Sequence, residues 1–309
     1  MRRERGVTIT ELMVAVAIGT FVTLVAVTVL ISAMAHFVAQ NEAAMLEDAG
    51  RFALAIIERA TRQAGYVNLE HEDAAGEADP AARPPILGLD SASVSSDTDN
   101  LTRPRPAAVN GSDVLALRFA GSGAAGGDGS ATTCAGFSVG AGQDGWSIFY
   151  VGSSTRGEPE LRCKYRGANN WSAEAVVGGV DSFQVLYGLD TDALPDGQAN
   201  RFVKASEITA LDANLVLDGE SDGARERDRM RKTWWKRVAS IKVSLVLHGA
   251  LRSRAMGSPA VFDLFGAPYS EAVPDDLGAH IEKAGMAPAL RERQRRTFGA
   301  TIFLRNVQH

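Results

Sequence analysis

The sequence predicts an α+β chain: one long N-terminal helix, with a membrane-spanning first half, packed on a C-terminal antiparallel β-sheet domain. Three observations predict it. No Asp, Glu, Lys or Arg occurs from Leu12 through Asn41, an apolar stretch long enough to cross a bilayer as a helix. Beyond it, apolar and small residues recur at helical spacing as far as Ala64. From Ser112 onward the period changes to two, the signature of half-buried strands.

The helix is expected over residues 7–65, after a short segment, 1–6, that is basic through Arg2, Arg3 and Arg5. By the positive-inside rule those arginines hold that end in the cytoplasm. In the second half, Ala39, Leu46, Ala49, Ala53, Ile56, Ala60 and Ala64 lie at steps of three, four and seven. Met45, Phe52 and Ile57 reinforce them, which gives one face for a globular domain. No proline interrupts the run, Gly19 and Gly50 are the places where it could loosen, and Gly65 is the expected stop. At about 1.5 Å per residue such a helix is roughly 87 Å long.

Residues 66–309 read as one β-rich domain, of which 66–111 is a loop-rich connection containing Pro80, Pro84, Pro85, Pro104 and Pro106. Strands follow at Leu115/Leu117/Phe119, Trp146/Ile148/Tyr150, Phe183/Val185/Tyr187, Ile241/Val243/Leu245/Leu247 and Phe298/Ala300/Ile302/Leu304. The Gly- and Ala-rich stretch Gly121–Gly145 reads as a flexible excursion between the first two. With 309 residues, 45% hydrophobic and 22% charged, the chain has material for a sizeable core. A net charge of −5 argues against a general nucleic-acid binder.

The head of the helix carries the most specific signal. Gly6-Val7-Thr8-Ile9-Thr10-Glu11 sets a lone carboxylate at the front of the apolar stretch, and Glu11 is the fifth residue counted from Val7. An acid in hydrocarbon costs about 2.5–3.5 kcal/mol on insertion scales, so it reads as functional. A secretory signal cut after Ala33-Met34-Ala35 is one alternative, but its apolar core is usually shorter than Leu12–Ile31. A plain single-pass anchor explains the length and not the Gly-then-Glu spacing.

This pattern resembles the leader of type IV prepilins, although Val7 stands where most begin with Phe. Helix first and antiparallel sheet late resembles a type IV pilin across the whole chain. Several stretches resemble the PilW type of minor pilin: Arg62-Gln63-Ala64-Gly65-Tyr66, Phe183–Asp192, Trp235-Lys236-Arg237-Val238 and Arg296-Thr297-Phe298 with Leu304-Arg305-Asn306. The resemblance implies insertion in the inner membrane, cleavage between Gly6 and Val7 by the prepilin peptidase, and N-methylation of Val7. It implies that Glu11 meets the amine of a neighbouring subunit and sets axial register. It further implies a non-catalytic minor pilin that helps prime pilus assembly and ends at the pilus tip. The partners so implied are other minor pilins, the major pilin and a tip adhesin, with no nucleic acid and no cofactor. A minor pseudopilin of a type II secretion system is the alternative, and a membrane-anchored periplasmic enzyme a more distant one.

Of the remaining residues, Cys134 and Cys163 are the only cysteines. In an oxidising compartment they are expected to be joined, closing a loop of about 30 residues, the other reading being two separate buried thiols. Asp190, Asp192 and Asp196 are a weak calcium candidate. The third acid arrives two residues late for the usual calcium loop, and an ordinary strand-joining turn accounts for Asp and Gly there. Arg225–Lys232, ahead of Trp234 and Trp235, alternates base with acid, which suits a solvated, salt-bridged face; a contact with a partner subunit and a nucleic-acid patch are the other readings. His36, His71, His248, His280 and His309 fall in no metal or nucleophile motif, so no catalytic residue is expected.

Overall fold

The structure is a computed structural model that describes residues 6–68, 80–98, 101, 103–106, 109–167, 170–249, 259–286 and 288–306. Arg2, Arg3 and Arg5 lie outside these residues. The chain divides into two compact units, Met1–Met45 and Leu46–His309.

Helix α1 spans Ile9–Gln63. In the first unit every residue from Ile9 to Asn41 is exposed, including Leu12, Phe21, Leu24 and Leu30. Many of these residues are β-branched, which slightly disfavours helix in water. In hydrocarbon the preference reverses, because a helix satisfies every backbone polar group within one segment. Thr20, Thr23 and Thr28 each donate their hydroxyl to a carbonyl three or four residues back, at 2.8–3.0 Å, which hides the remaining polar atoms in the same way.

The second unit begins with the helix residues from Leu46 onward. Leu46, Ala53, Ile57, Ala60 and Ala64 are buried in the core, as the spacing predicts. Met45 and Phe52 point away, 65% and 53% exposed, so the apolar face is narrower than the composition suggests. Gly50 does not loosen the helix. It admits the ring of Phe298, and a Cβ there would stand 2.4 Å from that ring. Gly65 takes φ = 75° just past the helix end, and its N–H donates to the Arg118 carbonyl at 2.8 Å.

Two antiparallel sheets follow. The first has the order β1-β4-β5-β6-β7, built from Ile86–Leu89, Val114–Ala120, Asp144–Ser153, Pro159–Arg166 and Trp171–Gly178. The second has the order β13-β10-β8-β9, built from Arg295–Phe303, Val238–His248, Val180–Leu189 and Arg201–Val203. Short strands β2 (Ala92–Ser93) and β3 (Arg105–Pro106) pair with each other, as do β11 (Val261–Asp263) and β12 (His280–Glu282). Short helices α2 (Ala205–Ala213), α3 (Asp222–Lys232), α4 (Ala267–Ala272) and α5 (Pro288–Arg291) complete the unit. One core joins both sheets and the Leu46–Ala64 face, with Phe149 and Leu161 from the first sheet, Phe183 and Val243 from the second.

The strands differ from the half-buried expectation: β8 is buried at all ten positions and β10 at ten of eleven. Their outer faces are covered. Val246 of β10 packs on Phe262, Leu264, Ile281 and Met286. Gln184 and Ser182 of β8 donate to the carbonyls of Gly111 and Gly278, at 2.9 and 2.8 Å. The stretch 66–111 also holds more order than a loop-rich connection implies, since β1 pairs with β4 from Ile86↔Leu117 to Leu89↔Val114.

Candidate functional site

Four places hold the residues singled out by sequence. The first is the head of α1. Thr8 precedes the first helical residue, and its Oγ1 accepts from the Glu11 N–H at 3.3 Å. Glu11 reaches back: its Oε2 accepts from the Thr8 N–H and from the Thr8 hydroxyl, both at 2.9 Å. This is a reciprocal capping box, in which residue and cap satisfy each other's otherwise unpaired donors. A carboxylate at this end also faces the positive pole of the helix dipole. Thr8 therefore caps the helix, and Glu11 has a partner within its own chain. Gly6 and Val7 precede the cap in an exposed segment outside helix and strand.

The second place is the cysteine pair. Cys134 and Cys163 form a disulfide with a Cα–Cα distance of 6.0 Å, within the usual range. Cys163 lies on β6, and Cys134 sits in the Gly-rich excursion, its N–H donating to Ser147 Oγ at 2.9 Å. The Gln63 amide bonds Thr132, two residues before Cys134, donating at 3.2 Å and accepting at 3.4 Å. Phe137 stacks on Tyr165 at 5.0 Å. The bridge thus ties the excursion to the sheet and, through Gln63, to the end of α1. Breaking it is expected to lower stability by about 3–4 kcal/mol in the chain-entropy account. Non-reducing peptide mapping should recover the Cys134–Cys163 peptide, with a lower unfolding temperature after reduction. Two free thiols in freshly isolated protein would contradict this.

The third place is the acidic turn after β8. Asp190, Asp192 and Asp196 each bring a carboxylate oxygen within 4.8 Å of the others. Asp190 is buried, and it accepts from the N–H groups of Asp192, Asp196 and Gly197 at 3.0, 2.8 and 2.9 Å. Burial pushes its carboxyl up, but those N–H bonds and Arg237 together hold it below the ordinary range. The arrangement is a side-chain-templated turn, the ordinary work of Asp and Gly between strands.

The fourth is the basic segment, which is helix α3, capped by Ser221 Oγ accepting from the Ala224 N–H at 3.2 Å. Several of its charges are paired: Arg229 with Glu226 at 2.6 Å, Arg231 with Asp228 at 2.6 Å, and Lys232 with both Asp228 and Asp218 at 2.7 Å. The Asp218 N–H, then Lys232 and Arg231, lower the Asp228 pKa to about 2.

Sequence reasoning missed an ionic cluster that is buried at Asp181, His248 and Arg295 and reaches the surface at Glu158. Asp181 on β8 accepts from Arg295 Nε on β13 at 2.7 Å and lies 2.9 Å from His248 Nδ1 on β10. Arg293 donates to both oxygens of Glu158 at 2.9 Å and approaches His248 Nε2 at 2.8 Å. His248 Nε2 also lies 3.3 Å from Glu158 Oε2, so the imidazole sits between two carboxylates and the Arg293 guanidinium. None of these five residues shares a motif; the pairing of β8, β10 and β13 brings Asp181, His248 and Arg295 together, and Glu158 and Arg293 join from just before β6 and β13.

An exposed apolar helix headed by a capped carboxylate, leading into a disulfide-tied antiparallel β domain, defines a subunit of the type IV pilin class. The prokaryotic N-terminal methylation motif matches residues 1–27. The family described as Type IV Pilus-assembly protein W matches residues 148–306, just over half of the chain, and the chain belongs to that family. Among solved structures, a type IV-like pilin from Thermus thermophilus is similar at 14% identity and a TM-score of 0.41, over 86% of this chain and 100% of that one. No curated protein matches the sequence.

Proposed function

We propose that this protein is a minor pilin that helps prime type IV pilus assembly and takes its place in a tip complex with other minor pilins. The observation that carries the reading is the helix surface from Ile9 to Asn41, exposed throughout and headed by Glu11. Such a surface is at rest only in lipid or against other apolar helices, and those are the two environments of a pilin before and after assembly. Cleavage after Gly6 frees an amine at Val7, which is then N-methylated. Glu11 takes the amine of an adjacent subunit as its counter-charge, which sets the axial register of the bundle. The Arg2, Arg3 and Arg5 leader keeps the start of the chain cytoplasmic, so the β domain faces the periplasm. The protein works by packing: the helix joins the bundle, and the β domain presents its sides to unlike neighbours, the major pilin and other minor pilins among them.

N-terminal mass spectrometry of protein extracted from membranes tests the first step. The mature chain should begin at Val7, lack Met1–Gly6 and carry one methyl group. A chain beginning at His36 would show a cleaved secretory signal and overturn the reading.

A further inference from the structure

Strand β13 is an outer edge of its sheet. Just past it, the Leu304 N–H donates to the Ala239 carbonyl of β10 at 2.9 Å. Ile302, Ala300, Phe298 and Arg296 therefore turn their backbone groups to β10 in the same way. The alternate residues, Thr297, Gly299, Thr301 and Phe303, turn theirs to the open side. All four are exposed, and no hydrogen bond from another described residue reaches them there.

An open edge is a template for another strand, and proteins blunt it with charge, bulges or shortness. The other edges of the two main sheets are blunted. Strands β1 and β9 have four and three residues, and β7 exposes Glu174 and breaks register against Leu161/Arg162. Strand β13 has none of these devices. Its register with β10 runs unbroken from Ser240↔Phe303 to His248↔Arg295. Thr297–Phe303 carries no charge and no proline and is rich in strand formers. Its free donors and acceptors recur every second residue, about 7 Å apart. An extended polypeptide matches that row, and a lipid or a nucleic acid does not.

Direction argues against a second copy as the occupant. Residues of α1 pack on the inner face of this sheet, where Gly50 receives the Phe298 ring and Glu47 pairs with Arg296. A helix laid on a sheet runs parallel to its plane. Two copies joined antiparallel through β13 are related by a two-fold axis normal to the sheet, which reverses every direction in that plane. The two α1 helices would then run opposite ways, whereas copies inserted in one membrane run the same way. Gly299 sets what the incoming strand carries. Apart from its chain neighbours, only the Val243 carbonyl and Ser244 Oγ, at 3.3 and 3.7 Å, lie within 4 Å of where its Cβ would stand. The sheet is bare there, and an aromatic side chain directly opposite an edge glycine lies across it.

We propose that β13 accepts a strand from a different polypeptide, paired antiparallel, free of proline and with an aromatic residue opposite Gly299. The argument against a second copy rests on the membrane-anchored subunit proposed above; the open edge does not.

The test is fluorescence anisotropy on the full-length protein in detergent, with the labelled peptide Thr-Ser-Thr-Ser-Tyr-Ser-Val. Paired antiparallel, its tyrosine stands opposite Gly299 and turns its N–H to β13, while the serine after it turns its N–H away. The peptide should bind. N-methylation of the tyrosine amide should weaken binding about tenfold, a factor worth about 1.4 kcal/mol, and N-methylation of the following serine should not. Thr301→Pro removes a donor on the open side, and Thr297→Lys with Thr301→Lys charges the edge; each should weaken binding about tenfold. Thr297 and Thr301 are exposed, so the lysine variant should keep its unfolding temperature, and it decides the outcome if the proline variant fails to fold. Absence of binding, equal effects of the two methylations, or a lysine variant without effect would each overturn the proposal. A dimer in detergent that the lysine variant dissociates would give the edge to a second copy and overturn it as well. A mature chain beginning at Val7 together with no peptide binding removes the edge proposal alone. Peptide binding by a chain that is not processed at Val7 keeps the edge and removes the pilus reading.

Discussion

Glu11→Ala and Glu11→Gln are both expected to be cleaved, to accumulate in the membrane and to leave the β domain folded, yet to cut pilus number at least roughly tenfold through the lost counter-charge. Removing an acid from an apolar segment makes insertion easier, so a loss at that step is not expected. The pair of variants separates two jobs. The Glu11 carboxylate caps its own helix through Thr8, and the proposed function gives it a second job, as counter-charge to an amine on a neighbouring subunit. Glutamine keeps a carbonyl oxygen that can accept from the Thr8 N–H, so it preserves the cap while removing the charge. Alanine removes both. Thr8→Val is the reciprocal change, weakening the cap and keeping the charge. If the register role holds, Gln and Ala behave alike and Thr8→Val assembles nearly normally. If Gln assembles like wild type and Thr8→Val fails with Ala, the residue matters as a cap and the register role falls. Pilus counts by electron microscopy, with immunoblots for processing and level, read the outcome.

The capping box shows what the sequence held and what was overlooked. Thr8-x-x-Glu11 is a legible signature of a helix start, and it gives the carboxylate a partner in its own chain that its place in an apolar stretch does not suggest. The strands with clear alternation were legible, and so was the core face from Leu46 to Ala64. Strand β6 carried the same signal, with Leu161, Cys163 and Tyr165 alternating with Glu160, Arg162 and Lys164, and was passed over. Strand β7 offered little: Ser172-Ala173-Glu174-Ala175 are small or polar, as suits an edge that is mostly solvated. Gly50 was misread for a physical reason. Its value lies in the ring it admits, and Phe298 is 248 residues away in sequence. The ionic cluster was illegible for the same reason, since no local pattern links Glu158, Asp181, His248, Arg293 and Arg295.

That cluster carries the largest stability effect expected in the β domain. Replacing Asp181 with Leu should cost about 3–5 kcal/mol, because it strands a buried charge. The Arg295 side chain is 0% exposed and that of His248 1%, so neither can turn to water for compensation. For a unit of this size the unfolding temperature should fall by roughly 10 °C. The position explains the severity. His248 and Arg295 are cross-strand partners at one end of the β10–β13 ladder, and Asp181 lies near the start of β8, the strand on the other side of β10. One carboxylate therefore fixes three neighbouring strands in register, and a one-residue slip of β13 would carry Phe298 from the core to the other face. The decisive comparison is the double replacement, Asp181→Leu with Arg295→Met. A buried pair exchanged for apolar groups of similar size is often neutral or better, whereas removal of one partner is not. The double variant should therefore unfold at a higher temperature than Asp181→Leu alone. Should Asp181→Leu melt within about 0.5 kcal/mol of wild type, the carboxylate is no anchor. Should the double variant be worse than the single one, Arg295 holds the strand through its own packing and its bond to the Arg293 carbonyl, and the register would then rest on Arg295 alone.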